Sequence, residues 1–143
     1  MKVNNLNELT RLAADLRARL EIGDVIFLTG PLGAGKTTFV QKLFRLYGVP
    51  ETAVTSPTFS LIERYTVNGR ELLHADCYRL PGNDEAILAE LAEAAETAAL
   101  LAIEWPQKMP ALAEKFQAWQ IALQELPDGG REVVVTPPKR CQK

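Results

Sequence analysis

No run of apolar residues in this 143-residue chain approaches the roughly 18 that a membrane-spanning helix needs. The first ten residues alternate polar and apolar side chains and contain no apolar stretch of the kind a secretory signal carries. Cysteine is scarce as well. Cys77 and Cys141 fit no metal-ligand spacing and make no disulfide framework, which agrees with a reducing compartment. These absences predict a cytoplasmic protein without membrane attachment. An excess of charge of one sign is also missing: 16 basic and 18 acidic residues interleave to a formal net charge of −2. No basic face is left on which a polyanion such as tRNA would dock unaided. Lys139, Arg140 and Lys143 gather at one end, as in a solvated tail. Repeats, low-complexity stretches and linkers are absent, so residues 1–143 are expected to form a single domain.

What is present begins with periodicity. Leu9, Leu12, Ala13, Leu16 and Leu20 recur at helical spacing, which predicts an amphipathic helix over Glu8–Leu20. Val25–Thr29 is a continuous apolar run, the pattern of a strand covered on both faces. A loop over Gly30–Gly35 and a helix over Lys36–Tyr47 follow, with Gly48 where a helix would stop. Thr55–Thr58 reads as a Pro-containing turn. Phe59–Thr66 and Glu71–Asp76 read as strands joined at Asn68-Gly69, a tight-hairpin signal. Asp84–Glu96 is helical in composition, and Ala98–Ile103 is a second wholly apolar run. A short helix is expected after Pro110, then strands over Trp119–Glu125 and Arg131–Thr136 either side of Pro127–Gly130. The sum is an α/β fold: a three-layer sandwich around a mixed, mainly parallel central sheet with antiparallel hairpins.

The chemistry is concentrated in Gly30-Pro31-Leu32-Gly33-Ala34-Gly35-Lys36-Thr37, which fits G-x-x-x-x-G-K-[ST] between a buried strand and a helix. That context points to a P-loop NTPase fold that binds ATP with Mg²⁺. Glycines let successive backbone N–H groups converge on phosphate oxygens, and the helix N-terminus adds the positive end of its dipole. Lys36 would reach the β- and γ-phosphates, and the Thr37 hydroxyl is a hard oxygen ligand for magnesium. Pro31, Leu32, Gly33, Ala34, Gly35, Lys36, Thr37 and Thr38 are the expected nucleotide-binding residues. Such a loop needs an acidic residue at the end of a neighbouring buried strand. Glu104, after Leu100-Leu101-Ala102-Ile103, is the candidate for this Walker B role, directly or through water. His74, Asp76 and Tyr78 alternate and are expected on one face. Asp76 would meet the γ-phosphate, the magnesium or an attacking water; His74 reads equally as a hydrogen-bonded structural histidine. No N-K-x-D or T-K-x-D marks the base as guanine, and no arginine-rich segment offers the lid of a small-molecule kinase.

In order and spacing, Gly30–Thr38, Thr55-Ser56-Pro57-Thr58-Phe59, His74-Ala75-Asp76-Cys77-Tyr78-Arg79-Leu80 and Ile103-Glu104-Trp105-Pro106 resemble the TsaE (YjeE) family. The resemblance covers essentially the whole chain. It implies an ATPase of the pathway that makes N6-threonylcarbamoyladenosine at tRNA position 37, working with TsaD-like and TsaB-like proteins and meeting tRNA only through that complex. It further implies Lys36 on the phosphates, Thr37 and Glu104 on magnesium, Thr58 as a switch-like residue near the γ-phosphate, and Asp76 as a residue needed for hydrolysis. Trp105 would stand beside the site, and Asn5 and Leu6 would border the adenine. The sequence departs from the family over Asp84–Leu101, where a Leu-Gly-containing stretch is replaced by a plain helix and strand. Gln107-Lys108 also replaces an acidic residue after the Glu-Trp-Pro segment. With no evident arginine finger in the chain, slow hydrolysis without partners is expected. Two rival readings remain open: a small-metabolite kinase, and a nucleotide-gated binding module that needs no turnover.

Overall fold

Two apolar runs form the centre of the sheet because both of their faces are covered. The computed structural model describes residues 1–55 and 61–141. Its strands are β1 (Lys2–Val3), β2 (Asp24–Thr29), β3 (Ile62–Val67), β4 (Arg70–Asp76), β5 (Leu100–Glu104), β6 (Trp119–Glu125) and β7 (Arg131–Thr136). Its helices are α1 (Leu6–Arg19), α2 (Lys36–Arg45), α3 (Glu85–Ala95) and α4 (Ala111–Lys115). The strands make one sheet in the order β1-β7-β6-β2-β5-β4-β3. Within β2 and β5, Ile26, Leu28, Leu100, Leu101, Ala102 and Ile103 have no exposed surface. An apolar side chain at every position, rather than every second one, is what two covered faces require.

The sheet is mixed, and the expected "mainly parallel" character holds only at its centre. β6, β2, β5 and β4 run parallel, whereas β1–β7, β7–β6 and β4–β3 pair antiparallel. One face carries α1 and α2 through Leu9, Ala13, Leu16, Phe39, Val40, Leu43 and Phe44 over Ile26, Leu28, Ala102 and Ile121. The other carries α3 and α4 through Leu91, Ala94 and Leu112 over Val25, Phe27, Leu101 and Ile103. This gives the three layers expected of the sequence.

Local signals explain most element ends. The Asn5 side chain accepts from the Glu8 backbone N–H at 2.9 Å, and Glu8 reaches back to the Asn4 N–H at 2.5 Å. This reciprocal cap starts α1 at Leu6, two residues ahead of the expected start at Glu8. α2 ends at Arg45, earlier than the expected Tyr47, because Leu46, Tyr47 and Gly48 close on the carbonyls three residues back. The Asn68-Gly69 turn joins β3 and β4 as expected, with both residues at positive φ. The expected strand over Phe59–Thr66 is described from Leu61 onward, with β3 beginning at Ile62. β4 stops at Asp76, so Tyr78 lies beyond the strand and does not continue the His74–Asp76 face. The cause is a turn: the Asp76 carboxylate accepts from the Tyr78 N–H at 2.9 Å. No helix of the described residues is long and apolar enough to cross a membrane.

Candidate functional site

β2 delivers the chain to the carboxyl edge of the parallel strands, where Gly30–Gly35 turns it back into α2. Gly30 has φ 144° and Gly35, the cap of α2, has φ 99°. Both values lie where L side chains are strained, so glycine is required at these two points. A Cβ on Gly30 would stand 2.3 Å from the Leu123 carbonyl oxygen, and one on Gly35 would stand 2.9 Å from Arg131 Nε. The loop is thus pressed against β6 on one side and Arg131 on the other.

Lys36 opens α2 and turns inward. Its ammonium donates to the carbonyls of Gly30 at 2.6 Å and Pro31 at 2.9 Å, and lies 4.5 Å from the centre of the Trp105 ring. Burial lowers its pKa from the ordinary lysine value, while the nearby carboxylates of Glu104 and Asp76 act in the opposite sense. Beside it, the Thr37 hydroxyl donates to Glu104 Oε2 at 3.1 Å, with Oε1 at 3.5 Å. Glu104 stands at the last position of β5, only 3% exposed. Parallel register sets Glu104 beside Leu28 of β2 and Asp76 of β4, so both carboxylates lie on the α1–α2 face. His74 is fully buried one pleat below, and its Nε2 meets Glu104 Oε2 at 2.5 Å.

These groups line a cleft of about 330 Å³ bounded by Leu32, Gly33, Gly35, Lys36, Thr37, Thr38, Asp76, Glu104, Trp105 and Arg131. The expected residues do not all face it. Pro31 borders a separate hollow on the far side of the loop, and the Ala34 side chain points into the core, 1% exposed. Pro31 has no backbone N–H, and the Ala34 N–H donates to the Pro31 carbonyl at 3.1 Å. Leu6, 56% exposed, lines a small hollow of about 100 Å³ with Asn5, and Arg131 borders both spaces. The Asn5 side chain is committed to the helix cap. Thr58 and the rest of 56–60 lie outside the described residues. Another cavity, about 280 Å³ among Arg17, Tyr47 and Arg70, shares no residue with the loop.

One neighbour of the cleft was not foreseen from the sequence. Arg131, the first residue of β7, donates from Nε to the Ala34 carbonyl at 2.8 Å. Nothing local marks it, because the pairing of β7 with β6 is what brings it to the loop. Trp105 adopts a left-handed backbone conformation at φ 55°, which turns its ring towards Lys36 on one side and Tyr78 on the other. The Tyr78 and Trp105 ring centres are 4.9 Å apart, and Lys108 caps Tyr78 at 5.5 Å.

Chemically, the cleft offers the N-terminal end of α2, one ammonium group, one hydroxyl and two carboxylates. The donors suit phosphate, and the hard oxygens suit a small divalent cation. Comparison with known proteins puts this site in a lineage: residues 3–133 match the family described as threonylcarbamoyl adenosine biosynthesis protein TsaE. The chain belongs to the TsaE family. Similar curated TsaE proteins include that of Aquifex aeolicus, 38% identical over 100 residues, covering 68% of this chain and 69% of the relative. That of Treponema pallidum is 37% identical over 117 residues, covering 81% and 84%. For the Rickettsia felis TsaE protein, 36% identical over 106 residues, the match covers 73% of this chain and spans only 61% of the relative's length. Among solved structures, that of YdiB from Bacillus subtilis superposes with a TM-score of 0.72 at 27% identity, covering 98% of this chain and 85% of that one.

Proposed function

We propose that this TsaE-family chain is a Mg-dependent ATPase of P-loop type that assists the tRNA N6-threonylcarbamoyladenosine modification machinery through ATP binding and hydrolysis. The observation that carries the reading is the pairing of the Thr37 hydroxyl with Glu104 at 3.1 Å, directly behind Lys36 at the start of α2. In this reading the triphosphate lies along the Gly30–Gly35 loop. The N–H groups of the loop and the positive end of α2 meet its oxygens. Lys36 balances charge on the β- and γ-phosphates and holds them in line.

The donor set fits magnesium. Thr37 gives its hydroxyl proton to Glu104, which leaves the hydroxyl lone pairs free for a cation, and every candidate ligand is oxygen. Among the described residues no group of three or more His, Cys, Asp or Glu side chains is arranged to hold a metal. Thr37 and Glu104 would therefore share the ion with phosphate oxygens and water. Magnesium, when bound there, neutralises charge on the phosphates. Asp76, at the cleft wall level with Glu104, would orient the attacking water and take up its proton.

TsaD-like and TsaB-like proteins are the proposed partners, with tRNA met through them. The near-balanced charge of the chain supports that division of labour. Arg131 is already bonded to the loop backbone, so the charge that would stabilise the transition state is proposed to come from a partner surface. The test is steady-state ATP hydrolysis by the purified protein, alone and with its TsaB-like and TsaD-like partners, with Lys36→Ala as the binding-dead control. Strong stimulation is expected. Tight ATP binding without stimulation would replace the ATPase reading with a nucleotide-gated module. Phosphate transfer to a small acceptor at a kinase-like rate would replace both.

A further inference from the structure

Among the described residues, one of three buried side-chain nitrogens without a hydrogen-bond partner stands next to the cleft. His74 has no exposed surface, and its Nδ1 has no hydrogen-bond partner. Among the described residues its only polar contact is Nε2 with Glu104 Oε2 at 2.5 Å; its ring also meets Phe44 edge-on, with centres 6.3 Å apart. A buried imidazole held by a single bond is a costly way to fill a core position that Leu or Phe would fill without unmet polarity. The geometry of Glu104 shows what the bond achieves. Its Oε2 receives both His74 and the Thr37 hydroxyl, at 2.5 and 3.1 Å, whereas among the described residues Oε1 has only the 3.5 Å approach of Thr37. One oxygen is anchored, and the other is left for the cleft.

We infer that His74 is a positioning residue for the cation site: as an Nε2–H donor it fixes the Glu104 carboxylate so that Oε1 and the Thr37 hydroxyl face one point in the cleft. The inference deepens the Mg-nucleotide reading and rests on it. The tautomer follows from the partners. Glu104 is an acceptor when ionised, so the proton sits on Nε2. Nδ1 then keeps a bare lone pair, which leaves a single unmet acceptor and no stranded N–H donor. Backbone register makes the arrangement durable. His74 and Ala102 are paired on β4 and β5, and Glu104 lies two residues beyond Ala102 on the same face. The imidazole therefore lies below the carboxylate and pushes it from the core side towards α2. Without this donor, Glu104 would be free to rotate, and the two hard oxygens would no longer converge.

The experiment measures the Mg²⁺ concentration that half-saturates tight ADP binding, by calorimetry, beside ADP affinity in EDTA. Proteins compared are the wild type, His74→Leu and His74→Gln; Gln is chosen because its amide N–H can take the place of Nε2–H. The expected result for His74→Leu is a midpoint raised about 10- to 100-fold, the usual cost of losing a group that orients a metal ligand. Its affinity in EDTA should be unchanged, and His74→Gln should recover most of the loss. An unaltered midpoint in His74→Leu, or an equal loss with and without Mg²⁺, overturns the positioning role and makes His74 a packing residue. A wild type whose ADP affinity ignores Mg²⁺ overturns the Mg-nucleotide reading itself, a different failure. If His74→Leu does not fold, nitrogen-15 NMR of the wild-type ring decides the matter. An Nε2–H resonance that shifts on adding Mg²⁺ with ADP is expected, and an Nδ1–H tautomer overturns the inference.

Discussion

Replacing Gly30 with alanine tests how tightly the loop is clamped to the sheet. Two costs combine. The residue sits at φ 144°, where a side chain costs on the order of 1–3 kcal/mol. The new Cβ would also stand 2.3 Å from the Leu123 carbonyl oxygen, roughly 1 Å inside an ordinary contact. That oxygen belongs to backbone and has nowhere to go: Leu123 is paired with Val133 of β7, while Ile121 and Ala122 are paired with Leu28 and Thr29 of β2. Relief requires prising β2 from β6 at the mouth of the loop, an overpacking cost of about 1–3 kcal/mol more. The total of about 2–6 kcal/mol should lower the melting temperature by roughly 6–18 °C for a chain of this size. Gly69→Ala is the matched control. It has φ 79°, but nothing lies within 4 Å of the added carbon, so about 1–2 kcal/mol and a few degrees are expected. Thermal melts followed by circular dichroism compare the two, and ATP affinity should fall only in Gly30→Ala because Gly30 also holds Lys36 through its carbonyl. Equal melting temperatures for the two variants would refute the claim that contact with β6 fixes the loop.

Asp76→Ala should bind ATP about as well as the wild type while hydrolysing it at least about 100-fold more slowly; calorimetry with single-turnover kinetics checks this, and normal turnover removes Asp76 from the chemistry. Arg131→Ala should weaken ATP binding several-fold by releasing the Ala34 carbonyl, and Arg131→Lys should recover little of it, because a point charge does not replace the fork that bonds through Nε. Burial, with a smaller contribution from Asp76, pushes the Cys77 thiol up to about 12 from 9.0. Folded Cys77 then keeps its proton where unfolded Cys77 loses it, so stability is unaffected below pH 9 and falls as pH rises from there towards 12. By pH 11 the loss is on the order of 2–3 kcal/mol relative to a Cys77→Ala variant at the same pH, read from urea unfolding. The same burial should leave native Cys77 inert to thiol reagents at pH 8.

The elements easiest to foresee were those whose signal is local. Val25–Leu28 and Leu100–Ile103 are apolar at every position because helices cover both faces, and Trp119–Glu125 and Arg131–Thr136 are cut cleanly by Pro127-Asp128-Gly129-Gly130. The phosphate-loop pattern placed Lys36, Thr37 and Glu104 in one neighbourhood, and they share one cleft. What could not be read depends on contacts far apart in sequence. β1 is two residues long and exists through Lys2 and Val3 pairing with Glu132 and Arg131. The bond from His74 to Glu104 follows from β4 and β5 being parallel neighbours, which no pattern within either strand encodes. The start of α1, in contrast, was legible and missed: Asn5 with Glu8 three residues on is a capping pair, and apolar periodicity alone obscured it.

The alignment of Leu28, Glu104 and Asp76 across three neighbouring strands also decides where this chain can change length. Side chains alternate faces along a strand, so one extra residue inside β5 would turn Glu104 away from Thr37 and towards α3. One extra residue in β4 would send Asp76 and His74 there with it. No conservative substitution elsewhere could restore the site after such a slip. Insertions at Pro81–Asn83 or at the Asn68-Gly69 turn leave the pairing untouched, since neither segment carries a group of the cleft. Tags, linkers or reporter domains therefore belong at these two turns, while the strands beneath the carboxylates admit no insertion or deletion of an odd number of residues.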